Sequence, residues 1–168
     1  MNAVVTRVPA LDRRALLATT DDRVAFGQRI LLAGVMFAHG AQHALGWFGG
    51  YGFAGTYGWM TGTLGIPGPL AALAIVTEIV APFFLLVGLG GRAAAAGLGA
   101  ILAVAATTHV SNGFFMNWTG ASPGEGFEYH LLGIALAIGI VVRGSGAFSF
   151  DRALVNASRD ERTSAPRR

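Results

Sequence analysis

Five titratable side chains lie in or beside long apolar segments of the sequence. They are His39, His43, Glu78, His109 and Glu128. Ionisable groups are costly inside a bilayer, and they usually face the interior of a helix bundle or a polar cavity. Imidazole and carboxyl groups in such a place can transfer protons, hydrogen bond a small polar ligand or bind a metal. These five residues are therefore the candidate site.

Pro82 strengthens the case for Glu78 as part of a polar pocket. A proline within a helix removes the hydrogen bond to the carbonyl four residues earlier, and here that carbonyl belongs to Glu78 itself. Neighbouring helices or water often satisfy a backbone group that is freed in this way. We therefore expect a kink, a free carbonyl and a carboxyl group to coincide in this segment.

The elements that must position these side chains are predicted to be transmembrane helices. The sequence is 53% hydrophobic and 12% charged, whereas a soluble domain carries about 25% charged residues. No Asp, Glu, Lys or Arg occurs between residues 30 and 77. We expect an all-α integral membrane protein, a four-helix transmembrane bundle whose spans suit a hydrocarbon core of roughly 30 Å. The predicted spans are residues 29–48, 70–89, 93–112 and 127–143.

The arginines predict how the bundle is oriented. All 12 basic residues are arginine, and none lies in the predicted loops 49–69 and 113–126. The positive-inside rule then places both termini and Arg92 in the cytoplasm. The arginines flank apolar segments, so we expect the net charge of +3 to meet the lipid headgroups of the plasma membrane and not nucleic acid. The chain divides into a polar cytoplasmic N-terminal segment (1–23), a membrane domain (24–154) and a disordered Arg-rich C-terminal tail (155–168).

In this orientation the titratable residues gather in the outer half of the bundle. Counting about 1.5 Å per residue from the outer end of each span places His39 and Glu78 near mid-membrane. His43, His109 and Glu128 lie nearer the outer surface, and His43 shares a helix face with His39. His130 fits an interfacial position. The predicted pocket therefore has two polar layers beneath the outer loops.

The two ends of the predicted bundle differ in composition. Both outer loops are rich in glycine and aromatic residues, which fits either an interfacial aromatic belt or a lid over a site. At the inner boundary we expect Arg29, Arg92 and Arg143 to extend to lipid headgroups.

The five-residue cluster has several possible uses. Each member could form an interhelical hydrogen bond that only fixes packing. A metal held by the histidines and a carboxylate, or a haem between His43 and His109, is a less favoured alternative, and no metal site is predicted. A proton relay or a polar pocket for a quinone-like ligand needs no fixed ligand geometry and is the preferred hypothesis.

The sequence resembles the DoxX family of small membrane proteins over residues 26–154. The order and spacing of short motifs across the four predicted spans carry the resemblance. These motifs are Arg29, His39-Gly40, Gly46, Gly49-Gly50, Gly55-Thr56, Gly65-Ile66-Pro67, Glu78, Gly88-Leu89, Arg92, His109, Asn112-Gly113-Phe114-Phe115, Glu128-Tyr129, Gly144-Ser145-Gly146, Ser149 and Asp151. The family often has Lys where this chain has His43, and histidine can relay a proton instead of holding a permanent charge.

The resemblance implies a subunit in quinone-linked or oxidant-defence redox metabolism, with other membrane or soluble redox subunits as partners. No cysteine, flavin motif or nucleotide loop in this chain supplies redox chemistry, so catalysis by the chain alone is left open. One alternative is a non-catalytic membrane anchor that recruits soluble redox enzymes. Another is a carrier of protons or small solutes.

Overall fold

The computed structural model describes residues 13–164, with side chains from Ala15 to Ala157. Within this part of the chain all regular structure is helical, which confirms the predicted all-α fold. The α-helices are α1 (Arg13–Leu17), α2 (Arg23–Leu45), α3 (Gly52–Gly62), α4 (Gly68–Val87), α5 (Gly91–His109), α6 (Glu128–Arg143) and α7 (Phe150–Ser164). Short 3-10 turns follow α2 at Trp47–Gly49 and α5 at Val110–Asn112.

Three helical segments are long and apolar enough to cross a membrane, which confirms the predicted membrane character. They are α2 with 23 residues, α4 with 20, and α5 together with its 3-10 turn with 22. Helix α6 has 16 residues and would extend about 24 Å. It packs against α2 and α5, so that α2, α4, α5 and α6 form a four-helix bundle.

The apolar core fills the half of the bundle in which α2 begins. We call this end the Arg29 end, and the opposite end, formed by segments 46–67 and 110–127, the loop end. Leu32, Leu85, Leu98 and Ile140 are almost fully buried and belong to one cluster with residues from all four helices. Burial of these side chains against each other fixes the four helices at the Arg29 end.

Helix α3 lies in the segment that the sequence predicted to be an irregular outer loop. Its side chain Met60 packs on Ala71 and Ile75 of α4. The aromatic residues Tyr51 and Trp59 are exposed. The sequence did not predict this helix, because the glycine-rich segment has too few buried apolar residues to give a helical pattern.

Arg29 corrects the expectation that the inner arginines extend to lipid headgroups. Its side chain is fully buried. The guanidinium donates hydrogen bonds to the carbonyls at the end of α4 and after α6, namely Leu85, Leu86 (2.8 Å), Ala147 (3.3 Å) and Phe148 (3.0 Å). The guanidinium carbon also lies 5.3 Å from the ring centre of Phe26. These partners replace water around the charge, so Arg29 joins α2, α4 and the segment after α6.

Asp151 makes a second buried polar centre beside Arg29. Its carboxylate accepts hydrogen bonds from the backbone N–H groups of Gly90 (2.8 Å) and Gly91 (3.2 Å) and from the hydroxyl of Ser145 (2.5 Å). Asp151 is only 1% exposed, and it is close enough to interact electrostatically with Arg29. A carboxylate at the start of α5 satisfies free N–H groups and complements the helix dipole. We call Arg29, Asp151 and these hydrogen-bond partners the Arg29–Asp151 clamp.

The other two inner arginines also bind protein groups. Arg92 donates to the carbonyls of Ala18 and Val141, and Arg143 pairs with Asp22 at 2.8 Å. A hydrogen bond from the N–H of Ala25 is the main cause of the lowered pKa of the Asp22 carboxyl. The hydrogen-bonded ion pair with Arg143 lowers this pKa further.

The structure also extends α7 into the predicted disordered tail. Residues 155–164 are helical, while residues 165–168 lie outside the described part of the chain. The hydroxyl of Ser149 accepts from the N–H of Arg152 and caps the first turn of α7. The hydrogen bonds of Asp151 to Gly90, Gly91 and Ser145 then fix the position at which α7 starts.

Candidate functional site

His43 and Glu78 form a direct contact between α2 and α4. The distance from His43 Nδ1 to Glu78 Oε2 is 2.5 Å. The Glu78 side chain is 6% exposed, whereas that of His43 is 33% exposed. The carboxyl group is thus enclosed by protein, and the imidazole is its link to the more open part of the site.

Gly40 explains why α2 and α4 come close enough for this contact. A β-carbon at position 40 would overlap the carbonyl of Glu78 and lie 2.8 Å from the α-carbon of Ile79. Pro82 leaves this same carbonyl without its helical N–H partner. Because Gly40 has no side chain, its backbone packs directly on the freed carbonyl, and His43 lies one turn further along the same helix face.

The directions of the two side chains complete the pair. Side chains in a helix lean toward its N-terminus. Helices α2 and α4 run in opposite directions, so His43 leans toward the Arg29 end and Glu78 toward the loop end. This lean brings the two groups together. Counting residues along each helix does not include the lean, and it therefore predicts His43 nearer the outer surface than Glu78.

A series of rings extends the site from this pair across the bundle to α5. The ring of His39 lies 6.5 Å from that of His43 and 6.0 Å from that of Tyr129, measured between centroids. Tyr129 lies 6.3 Å from His130, which lies 4.6 Å from His109. We call Glu78, His43, His39, Tyr129, His130 and His109 the ring cluster. Side chains from α2, α4, α5 and α6 are thus neighbours in one group near the loop end.

The His109–His130 pair has free hydrogen-bonding capacity. Nδ1–H of His109 donates to the carbonyl of Ala105 over 2.9 Å, which leaves its Nε2 as an acceptor. Nδ1 of His130 is buried and forms no well-aligned hydrogen bond with the described residues, although the backbone of Phe127 lies close enough to interact with the ring. A buried ring nitrogen without a partner is costly in an isolated protein. A bound polar group or a shared proton at this place would remove that cost.

Glu128 hydrogen bonds to the loop that precedes α6. Its carboxylate accepts from the backbone N–H of Met116 over 3.3 Å, and its N–H donates to the carbonyl of Phe114 over 2.9 Å. Both bonds hold the loop that precedes α6. The structure therefore brings four of the five predicted site residues into one cluster and gives Glu128 a role in the loop.

Tyr129 and His130 are the site residues that sequence reasoning left out of the pocket. Both lie in the first turn of α6. The helix face that they occupy can be predicted only when the first residue of the helix is known. The Glu128-Tyr129 motif was the available indication. Among the side chains of residues 15–157, no three of His, Asp or Glu converge as metal ligands do.

Comparison with known proteins gives one match. A family model described as DoxX matches residues 24–111, which run from the start of α2 to the end of α5. The matched region contains His39, His43, Glu78 and His109, and the two α6 residues lie beyond it. No protein of curated function and no solved structure matches the chain.

Proposed function

The chain belongs to the DoxX family, and from that premise we propose that it is a plasma-membrane subunit of quinone-linked or oxidant-defence redox metabolism. In this proposal the ring cluster binds the polar ring of a quinone in the outer half of the membrane. The observation that carries the proposal is the enclosed Glu78–His43 pair, which neighbouring rings link to a buried nitrogen of His130 that forms no well-aligned hydrogen bond with the described residues. Intramembrane ionisable groups of this kind mark ligand or proton pathways more often than plain packing.

The proposal includes four spans with both termini in the cytoplasm. Helices α1 and α7 pack against each other, so the two ends of the described chain lie on one side of the bundle. An even number of crossings is needed for that arrangement, which supports α6 as the fourth span. The arginines of the Arg29 end then face the cytoplasm, as the positive-inside rule requires.

The ring cluster offers the groups that a quinone needs. Reduction of a quinone to a quinol takes up two electrons and two protons, one proton at each ring oxygen. His43 and Glu78 can hold a proton near one oxygen, and the histidine pair His109 and His130 can hydrogen bond the other. The chain contains no cysteine, and we assign the supply of electrons to a partner subunit.

Binding of a short-chain ubiquinone to the purified protein in lipid nanodiscs tests this proposal. Quenching of tryptophan fluorescence reports binding. Glu78→Gln keeps the shape of the side chain but removes its charge, and we expect it to weaken binding about tenfold, the equivalent of one hydrogen bond to a charged group. His109→Ala should weaken binding similarly, because it removes one of the two imidazoles that can hydrogen bond the second quinone oxygen.

Glu125→Gln is the matched control, because Glu125 is an exposed carboxylate at the same end of the protein and lies outside the ring cluster. Its affinity should equal that of the wild type. Unchanged affinity in both Glu78→Gln and His109→Ala would remove the ring cluster as the ligand site.

A membrane anchor for soluble redox enzymes is the second candidate, and α7 is the observation that favours it. This helix continues from the bundle at the Arg29 end and exposes Phe150 and Leu154. Phe150→Ala combined with deletion of residues 156–168 should then abolish recovery of the partner enzymes, while Glu78→Gln has no effect on it. The opposite pattern would favour the ring cluster.

A further inference from the structure

Two exposed phenylalanines lie where the chain passes from α6 into α7. The side chain of Phe148 is 72% exposed and that of Phe150 is 60% exposed. Phe148 precedes α7, and Phe150 is the first residue of that helix. Both rings therefore lie outside the four helices of the bundle, and their surroundings indicate what covers them.

The segment that carries these rings is bound to the end of α4. The N–H of Asp151 donates to the carbonyl of Gly88 over 3.0 Å. The backbone of Ser149 lies so close to Gly88 that a β-carbon on the glycine would come within 2.9 Å of the α-carbon of Ser149. Phe148 and Phe150 are the two neighbours of Ser149 in the chain, so both rings start beside the residue that follows α4.

The length of α4 gives the depth of this place in the membrane. The helix has 20 residues and is about 30 Å long, which equals the thickness of the hydrocarbon core. Gly88 therefore lies at the boundary between acyl chains and headgroups when α4 spans the core. Leu86, Val87 and Leu89 are exposed at the same end of α4, so acyl chains already border this part of the surface. The exposed rings beside Gly88 continue that apolar surface.

The backbone of Phe148 is a second, independent observation. Its φ angle is +50°, in the left-handed region, which costs free energy for a residue with a β-carbon. Gly144 and Gly146 also have positive φ angles, and glycine at position 148 would avoid the cost. The carbonyl of Phe148 accepts from Arg29, but a glycine carbonyl could do the same. The contact with the ring of Phe26, 5.4 Å between centroids, leaves most of the Phe148 ring exposed, so a further contact of this ring is expected.

We propose that Phe148 and Phe150 insert into the lipid leaflet at the Arg29 end and hold the start of α7 in the membrane interface. The apolar face of an interfacial helix is buried about 5–10 Å into the boundary between headgroups and acyl chains. Helix α7 then leaves the bundle along the membrane surface. The inference does not depend on the ring cluster, and it assigns to lipid the surface that the second candidate function gives to soluble enzymes.

Spin labelling tests the inference on the full chain, which contains no cysteine of its own. Phe148→Cys, Phe150→Cys and Asn156→Cys each receive one nitroxide label in phosphatidylcholine nanodiscs. Accessibility to oxygen, which dissolves in acyl chains, and to a water-soluble nickel chelate gives the depth of each label. We expect the labels at 148 and 150 to lie about 5–10 Å below the headgroup boundary. The label at 156 should be in water, because Asn156 is exposed and lies about 120° around α7 from Phe150.

A label at Ala153→Cys measures the anchoring with both phenylalanines in place. Ala153 is exposed and lies three residues after Phe150, on the same side of α7. Phe148→Ser together with Phe150→Ser should move this label toward water. Phe48→Ser is the matched control, because Phe48 is also an exposed phenylalanine with a positive φ angle, of +53°, but lies at the loop end. It should leave the depth of the label unchanged.

Three results would overturn the inference. Labels at 148 and 150 that the nickel chelate reaches as easily as the label at 156 would mean that the rings face water, as a surface for a soluble enzyme would in its absence. Protection from both reagents that disappears when each nanodisc holds one copy would show a contact between copies. An Ala153→Cys label that keeps its depth in the double serine variant would show that the rings do not anchor α7. None of these results bears on quinone binding, so the proposed function is tested separately.

Discussion

Replacement of Asp151 should be among the most destabilising changes in the Arg29–Asp151 clamp. The carboxylate accepts three hydrogen bonds, from the N–H groups of Gly90 and Gly91 and from the hydroxyl of Ser145. Each buried donor left without a partner costs about 1–3 kcal/mol. Loss of the negative charge near Arg29 adds to this cost, while relief of the desolvation of Asp151 offsets part of it. We expect Asp151→Ala to lower the free energy of unfolding by about 3–5 kcal/mol.

Asp151→Asn should have a smaller effect, because it keeps one oxygen that can accept from Gly90. Its amide group would face the N–H of Gly91, so we expect a loss of about 1–2 kcal/mol. The measurement is reversible unfolding in mixed detergent micelles, followed by far-ultraviolet circular dichroism.

Asp21→Ala is the control for removal of an aspartate at the same end of the protein. Asp21 pairs with Arg152 over 2.9 Å, but its side chain is 61% exposed, so the expected loss is at most about 1 kcal/mol. If Asp151→Ala is no more destabilising than Asp21→Ala, the clamp does not hold the bundle together in the way described.

Two further predictions concern α2 and the residue that caps it. Gly40→Ala should destabilise the protein by about 1–3 kcal/mol, because its methyl group must push the Glu78 carbonyl away; Gly34→Ala, with no heavy atom within 4 Å, should instead stabilise α2 by about 0.5–1 kcal/mol. Asp22 has a lowered pKa in the folded protein, so its contribution to stability is present above its unfolded pKa and is lost as the pH falls through the folded pKa. Asp22→Asn should therefore melt below the wild type at neutral pH and match it in strong acid.

The outcomes that contradict these two predictions are simple to observe. Equal melting temperatures of Gly40→Ala and Gly34→Ala would mean that α2 and α4 do not meet at the Glu78 carbonyl. For Asp22, a melting-temperature difference from Asp22→Asn that stays constant from neutral to strongly acidic pH would exclude the carboxylate as its source.

Hydropathy and charge were sufficient to predict the three helices that are long and apolar enough to cross a membrane, but not where they begin. The absence of charge between residues 30 and 77 placed the first two spans. Helix α2 nevertheless begins at Arg23, six residues before the predicted span, because the side chain of Asp22 accepts from the N–H groups of Val24 and Ala25 and caps the helix. Hydropathy places the boundary of a span at the first arginine, whereas the boundary of a helix is set by its backbone hydrogen bonds.

The candidate site was predictable only in part for a similar reason. The sequence identifies intramembrane histidines and carboxyls by their unusual location, and four of the five belong to the ring cluster. It cannot tell that Glu128 is used by the N–H of Met116, since that bond depends on the fold of the loop. Nor can it tell that Arg29 is enclosed, because its partners at Ala147 and Phe148 lie more than 100 residues away, at separations of 118 and 119.

The enclosure of Arg29 has a consequence for the biosynthesis of the protein. The first membrane helix carries a charge that it cannot satisfy within itself, and two of the carbonyls that accept from this charge come from Ala147 and Phe148. While the ribosome is still making the later helices, the arginine must stay near water or an insertion factor. The first helix can complete these contacts only after the segment that follows α6 has been made, so a late segment of the chain completes the placement of an early one.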